Sequence, residues 1–190
     1  MGYIMDDKSL TKNNADKIKI KLSWKRWFTI PILLIFLINV GFTTIPNYLR
    51  LKEDPRNNTA TMVTYQRWGV MPNQLVIDLW GLNETASKID VTRMVFHVAE
   101  KMKGRNFDWV VLSYRGQSRL KIEGNFFSEI GNSLDQQNPV YLMRTLPSQV
   151  YSMDGNPAYE TWSGGLIAVL GQQMDDLNEL HDDWYLDDMK

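Results

Sequence analysis

From Trp27 to Ile45 the chain carries no charge, and its centre, Phe28-Thr29-Ile30-Pro31-Ile32-Leu33-Leu34-Ile35-Phe36-Leu37-Ile38, is almost wholly apolar. Such a run predicts a membrane-spanning helix. At 1.5 Å per residue the stretch is about 28 Å long, enough to cross a hydrocarbon core of roughly 30 Å. Trp27, Leu33, Phe36 and Ile45 mark this anchor. Pro31 falls in the first turn and Pro46 is expected to close the helix. Trp24, Trp27 and Tyr48 suit the aromatic belts of a bilayer. No later run is as long or as apolar, so one crossing is expected.

The remaining pattern alternates between periods. Pro46 to Ala60 is polar and rich in breakers and reads as a stalk. Met62 to Trp68 is a candidate strand, and Leu75 to Trp80, ended by Gly81, a candidate central strand. Val91, Met94, Val95, Val98 and Met102 follow helical spacing, with Asp90 the expected N-cap and Gly104 the stop. Trp109 to Tyr114 and Leu120 to Glu123 read as a hairpin about Gly116-Gln117. An odd-length loop, placing Tyr114 opposite Leu120 and Leu112 opposite Ile122, keeps one face apolar. A helix follows at about Phe126 to Asp135, then Val140 to Leu146 reads as a strand, with a short turn or helix from Pro147 and a turn at Asp154-Gly155-Asn156-Pro157. From about Gly165 the stripe Leu166, Leu170, Met174, Leu177, His181, Trp184 predicts a long amphipathic C-terminal helix. The order implies an α+β fold: a basic arm over 1–26, a transmembrane helix over 27–45, a stalk over 46–60, and over 61–190 a two-layer domain with a mixed or mostly antiparallel sheet.

Charge adds sidedness. Residues 1–56 hold ten basic and five acidic side chains, whereas the rest hold eleven and seventeen. Seven of the basic residues precede the apolar run, so the positive-inside rule puts the N-terminus in the cytoplasm and the domain across the membrane. Lys17 to Lys21 would then lie on the cytoplasmic leaflet. A long basic segment, a long apolar core and no Ala-x-Ala-like site favour a retained anchor over a cleaved signal. The chain has no cysteine. An exported domain without disulfides points to a bacterial envelope, most simply the inner membrane facing the periplasm. Its acidic balance disfavours nucleic acid.

Candidate chemistry is sparse. The two histidines, His97 and His181, lack the spacing of a metal site, and no phosphate loop occurs, so neither metal nor cofactor is expected. Ser113 near a strand end and Ser163 before Gly164-Gly165 are candidate nucleophiles, with His97 and Asp78 as partners only if the fold brings them together. For Ser163 the alternative is a helix N-cap, and for Asp78 an ion pair with Arg115, Arg119 or Arg144. The acidic aromatic end, Asp175, Asp176, Glu179, Asp182, Asp183, Trp184 and Tyr185, is the expected partner surface. These features favour a non-catalytic binding or assembly subunit of an envelope complex, with lipid and protein partners and an open oligomeric state. A membrane-tethered serine hydrolase and an immunity or exclusion protein are the alternatives.

Overall fold

The structure, a computed structural model, describes residues 29–134 and 138–189. The basic arm, Lys17 to Lys21, Trp24, Trp27 and the expected helix end at Asp135 lie outside the described residues. The chain divides into two compact units, Met1–Ile38 and Asn39–Lys190. Helix α1, Thr29–Glu53, is long and apolar enough to cross a membrane. Within the first unit Ile30 and every residue from Ile32 to Ile38 are 41–66% exposed. Pro46 does not close this helix. After a π-helical turn at Val40–Thr44 it continues through Ile45–Glu53, with Pro46 the second residue of that segment. A 3₁₀ turn, Pro55–Thr59, follows, capped by Asp54, which accepts from the Arg56 N–H at 3.0 Å. The expected stalk region is therefore helical over 46–53 and a 3₁₀ turn over 55–59, and Asn47, Leu51 and Asn57 are buried.

The rest of the second unit is α+β with a mixed, open five-stranded sheet. Its elements are β1 (Ala60–Arg67), β2 (Met71–Leu82), α2 (Lys88–Lys101), β3 (Trp109–Tyr114), β4 (Gln117–Glu123), α3 (Gly124–Ser133), α4 (Pro139–Thr145), β5 (Val150–Ser152) and α5 (Leu166–His181). The strands lie in the order β1-β2-β3-β4-β5. Only β2 and β3 are parallel, as a connection through α2 requires, and the other pairs are antiparallel. Leu75, Ile77 and Leu79 of β2, Val110, Leu112 and Tyr114 of β3, and Leu120 and Ile122 of β4 join Val91, Met94, Val95 and Val98 of α2 and Phe127 and Ile130 of α3 in one core. Alternation along each strand turns Val76, Asp78, Val111 and Ser113 to the opposite face.

Local chemistry explains where pattern and fold differ. The N-cap of α2 is Ser87, not Asp90: the two form a capping box, Ser87 Oγ accepting from the Asp90 N–H while Asp90 accepts from the Ser87 N–H. The β3–β4 loop is Arg115-Gly116, both with positive φ (48° and 81°), the conformation that matches strand twist. Two loop residues alone would set Leu112 against Arg119. A register shift between Leu112 and Ser113 instead pairs Leu112 with Leu120 and Val110 with Ile122. The apolar face survives, but the register is two residues from the expected one. Val140 to Leu146 is helical rather than extended, because Asn138 caps the Val140 N–H at 3.0 Å and Pro139 stands in the first turn. Leu142 and Leu146, one turn apart, are buried while Val140 and Tyr141 face out. The fifth strand is instead Val150–Ser152, paired with β4.

Two glycines set helix approach. A Cβ on Gly131 of α3 would stand 2.3 Å from the Ala99 carbonyl oxygen of α2, and one on Gly124 would stand 1.7 Å from that of Phe107. Gly131→Ala forces α3 off α2 and should destabilise the full-length protein in detergent by about 1–3 kcal/mol in urea denaturation. Gly171→Ala, where nothing lies within 4 Å, should be neutral or stabilising by about 0.5–1 kcal/mol.

Candidate functional site

The part of α1 that belongs to the second unit is inside-out. Asn39, Thr43, Asn47 and Leu51, spaced by four, are buried, whereas Phe42, Ile45, Tyr48 and Leu49 are 49–71% exposed. A helix on a water-soluble domain buries its apolar side; this one buries polar groups. The reason lies in what it covers. Among the described residues β1 pairs only with β2, so its outer backbone groups need partners. Thr44 Oγ1 donates to the Thr64 carbonyl at 2.8 Å, and Asn39 Oδ1 accepts from the Gln66 N–H at 3.2 Å. Asn47 Nδ2 donates to Thr64 Oγ1 and to the Thr43 carbonyl, each at 2.9 Å. Arg105, from the α2–β3 loop, adds Nη1 contacts to the Phe42 carbonyl at 3.3 Å and Thr43 Oγ1 at 3.2 Å. Four-residue spacing normally drifts around a helix, and the wider π turn at Val40–Thr44 keeps these side chains on one stripe.

The end of α1 is tied to α2. Arg50 pairs with Glu100 at 2.6 Å, and Arg93 with Asp90 at 2.8 Å and Asp54 at 3.8 Å. Asn57 Nδ2 donates to the Leu51 carbonyl and to His97 Nδ1, each at 3.0 Å. An amide NH₂ only donates, so His97 accepts on Nδ1 and carries its proton on Nε2. Burial, with the Arg50 charge nearby, pushes its pKa down, so the ring is neutral. A cleft of about 200 Å³ beside Tyr48, Leu51, Asn57 and Met94 is smaller than the roughly 300 Å³ at which ligand pockets begin.

The candidate nucleophiles and their partners are held separately. Asp78 and Ser113 are register neighbours on the face of the sheet opposite the helices. His97 is on α2, with the sheet between it and that pair, and Ser163 is exposed ahead of α5, whose N-cap is Gly165. Asp78 is 1% exposed, and among the described residues no arginine forms an ion pair with it. Its carboxylate accepts from the Tyr65 hydroxyl at 3.0 Å and from the Gly116 N–H at 3.1 Å. It therefore clamps β1 and the β3–β4 turn to β2. Burial and the Asp78 charge push the Tyr65 phenol up to about 12.

The C-terminal segment docks by its second half. Trp184 and Tyr185, expected on the partner surface, are buried at 1% and 2% exposure. Trp184 Nε1 donates to the Ser113 carbonyl at 2.9 Å. Of the acids, Asp175, Glu179 and Asp183 are exposed and Asp176 and Asp182 half-buried. Trp162 Nε1 donates to Asp176 at 2.6 Å, the Tyr159 hydroxyl to Asp183 at 2.8 Å, and Lys88 pairs with Asp182 at 3.4 Å. The first half of α5 stands out, with Ile167 87% exposed. His181 is buried against α2. The Thr92 hydroxyl donates to the Lys88 carbonyl at 3.1 Å, so its oxygen accepts from His181 Nε2–H at 2.9 Å. Among the described residues no three His, Asp or Glu side chains gather as a cation site.

The inside-out stripe and the Asp78 clamp escaped sequence reasoning, although the spacing Asn39, Thr43, Asn47 was a signal for the first. No family model, curated protein or solved structure matches the chain.

Asp78→Ala leaves the Gly116 N–H and Tyr65 hydroxyl without an acceptor and should cost about 1–3 kcal/mol in chemical denaturation. Burial, chiefly, with the Lys88 charge, holds His181 at about 3, below the ordinary 6.5. Below pH 6.5 the unfolded chain binds a proton that the folded chain refuses, so this group lowers stability as pH falls from about 6.5 to about 3. Denaturation midpoints measured across that range should fall less steeply in His181→Gln.

Proposed function

We propose that the chain is a single-pass protein of the bacterial inner membrane, N-terminus in the cytoplasm, whose extracytoplasmic two-layer domain is a binding or assembly subunit of an envelope complex. The observation that carries this reading is the exposed apolar side of α1, which persists through Phe42, Ile45 and Leu49 beside a polar side bonded to β1. In water that arrangement leaves a large apolar surface uncovered; in lipid it is the stable one. Sidedness rests on the excess of basic residues before the span.

The binding role rests on the exposed side of α5. It presents Ile167 and Met174 with exposed Asp175 and Glu179 one turn apart, an apolar patch with an acidic rim suited to a basic protein partner. Trp184 and Tyr185 act beneath it as the core that holds the helix in place.

The absence of native cysteine makes the test clean. Asp175→Cys, treated in spheroplasts with a membrane-impermeant thiol-reactive cross-linker, should give a stoichiometric adduct to a second protein, and Glu179→Lys in the same chain should weaken it. A thiol that reacts only after membrane lysis overturns the sidedness. A thiol that reacts and captures nothing overturns the assembly role.

A further inference from the structure

The β1–β2 turn exposes more apolar surface than a solvated loop requires. Trp68 is 75% exposed, Val70 56% and Met71 38%. The turn is tight: the Gly69 N–H donates to the Gln66 carbonyl at 2.8 Å, and Trp68 and Gly69 both have positive φ, 56° and 71°. A bulky aromatic in the left-handed region is uncommon, so the conformation holds Trp68 outward at some cost.

Its height along α1 gives this surface an occupant. β1 runs back along the helix: Thr64 bonds Thr44 and Asn47, and Gln66, two residues on, bonds Asn39. A Cβ on Gly69 would lie 3.9 Å from Asn39 Nδ2, so the turn is level with Asn39. Asn39 precedes Ile45, the expected end of the span, by six residues, or about 9 Å of helix. Amphipathic elements bury their apolar side about 5–10 Å into the headgroup and acyl boundary, the same depth. The neighbouring α2–β3 loop is basic, with Lys101 and Lys103 exposed and Arg105 bonded at the level of Phe42 and Thr43. Asp108, the acid nearby, is bonded to Asn73.

We propose that the β1–β2 turn is a second membrane contact, with Trp68 and Val70 entering the outer leaflet beside Asn39 while Lys101, Lys103 and Arg105 meet the phosphates of anionic lipid. The inference rests on the membrane-anchored reading above. Its occupant is lipid because the turn is level with Asn39, within the part of α1 that exposes Leu37, Ile38, Phe42 and Ile45. Cationic side chains lie on the neighbouring segment Lys101–Arg105, as contact with an anionic leaflet requires.

The test uses the full-length chain, reconstituted in vesicles of phosphatidylethanolamine and phosphatidylglycerol, with an environment-sensitive fluorophore on Val70→Cys, Phe36→Cys or Ser163→Cys. Quenching by lipids spin-labelled near the headgroup should extinguish the Val70 label and spare the Ser163 label, while deep spin labels quench Phe36. If Phe36 is quenched and Val70 behaves like Ser163, the second contact is wrong and the anchor stands. If Phe36 is not quenched, the anchor fails and the inference with it. Lys101→Gln with Lys103→Gln should reduce Val70 quenching in these vesicles and not in pure phosphatidylcholine, and free inorganic phosphate should not substitute for the anionic lipid. Equal quenching with and without the lysines overturns the headgroup contact.

Discussion

The open edge of β1 is the constraint on which this architecture depends. A strand with one neighbour presents a row of unpaired N–H and C=O groups, which in water invites aggregation and in lipid costs several kcal/mol per group. α1 meets that demand with side chains. Thr44 reaches the Thr64 carbonyl and Asn39 the Gln66 N–H, while Asn47 bonds the Thr64 hydroxyl. Covering the edge this way obliges the helix to turn its polar residues inward and its apolar ones outward. The apolar side is then left exposed, and that exposure supports the membrane proposal. The sheet edge and the membrane reading are thus two consequences of one helix.

From that edge the fold is built by pairing and close approach. The α2 crossover makes β2 and β3 parallel, and the capping box at Ser87 starts the helix where it lies on the core face. Gly131 lets α3 settle on Ala99 of α2, and the register shift before Ser113 keeps Leu112 and Leu120 on the same side. On the other face Asp78 takes the Gly116 N–H and the Tyr65 hydroxyl, so a carboxylate that resembles a catalytic acid in sequence works as a clamp between two strands and a turn. Trp184, bonded to the Ser113 carbonyl, and His181, bonded to Thr92, hold the C-terminal segment against the same framework.

The local signals were legible where one physical demand dominated a segment. Leu75 to Trp80 was legible as a short apolar run rich in strand formers and ended by Gly81, and Val91 to Met102 as apolar residues at helical spacing. Val140 to Leu146 is not, because a short apolar run suits either element and the decision fell to the Asn138 cap and to Leu142 and Leu146 facing the core. The C-terminal stripe was legible as a helix. That Trp184 and Tyr185 lie under it rather than on it was not, since periodicity marks a face without saying whether core or partner covers it.

By itself the sequence determined an uncharged run of membrane-spanning length, a basic end before it, and the alternation of elements that makes an α+β domain, because each follows from composition and spacing within a few turns of chain. Only the tertiary structure decided that α1 continues past Pro46 and turns Asn39, Thr43 and Asn47 toward protein, that Asp78 is a clamp, and that the β1–β2 turn lies level with Asn39. Those outcomes depend on which backbone groups a distant strand leaves unpaired. A sequence carries the donors and acceptors, but the fold chooses their partners.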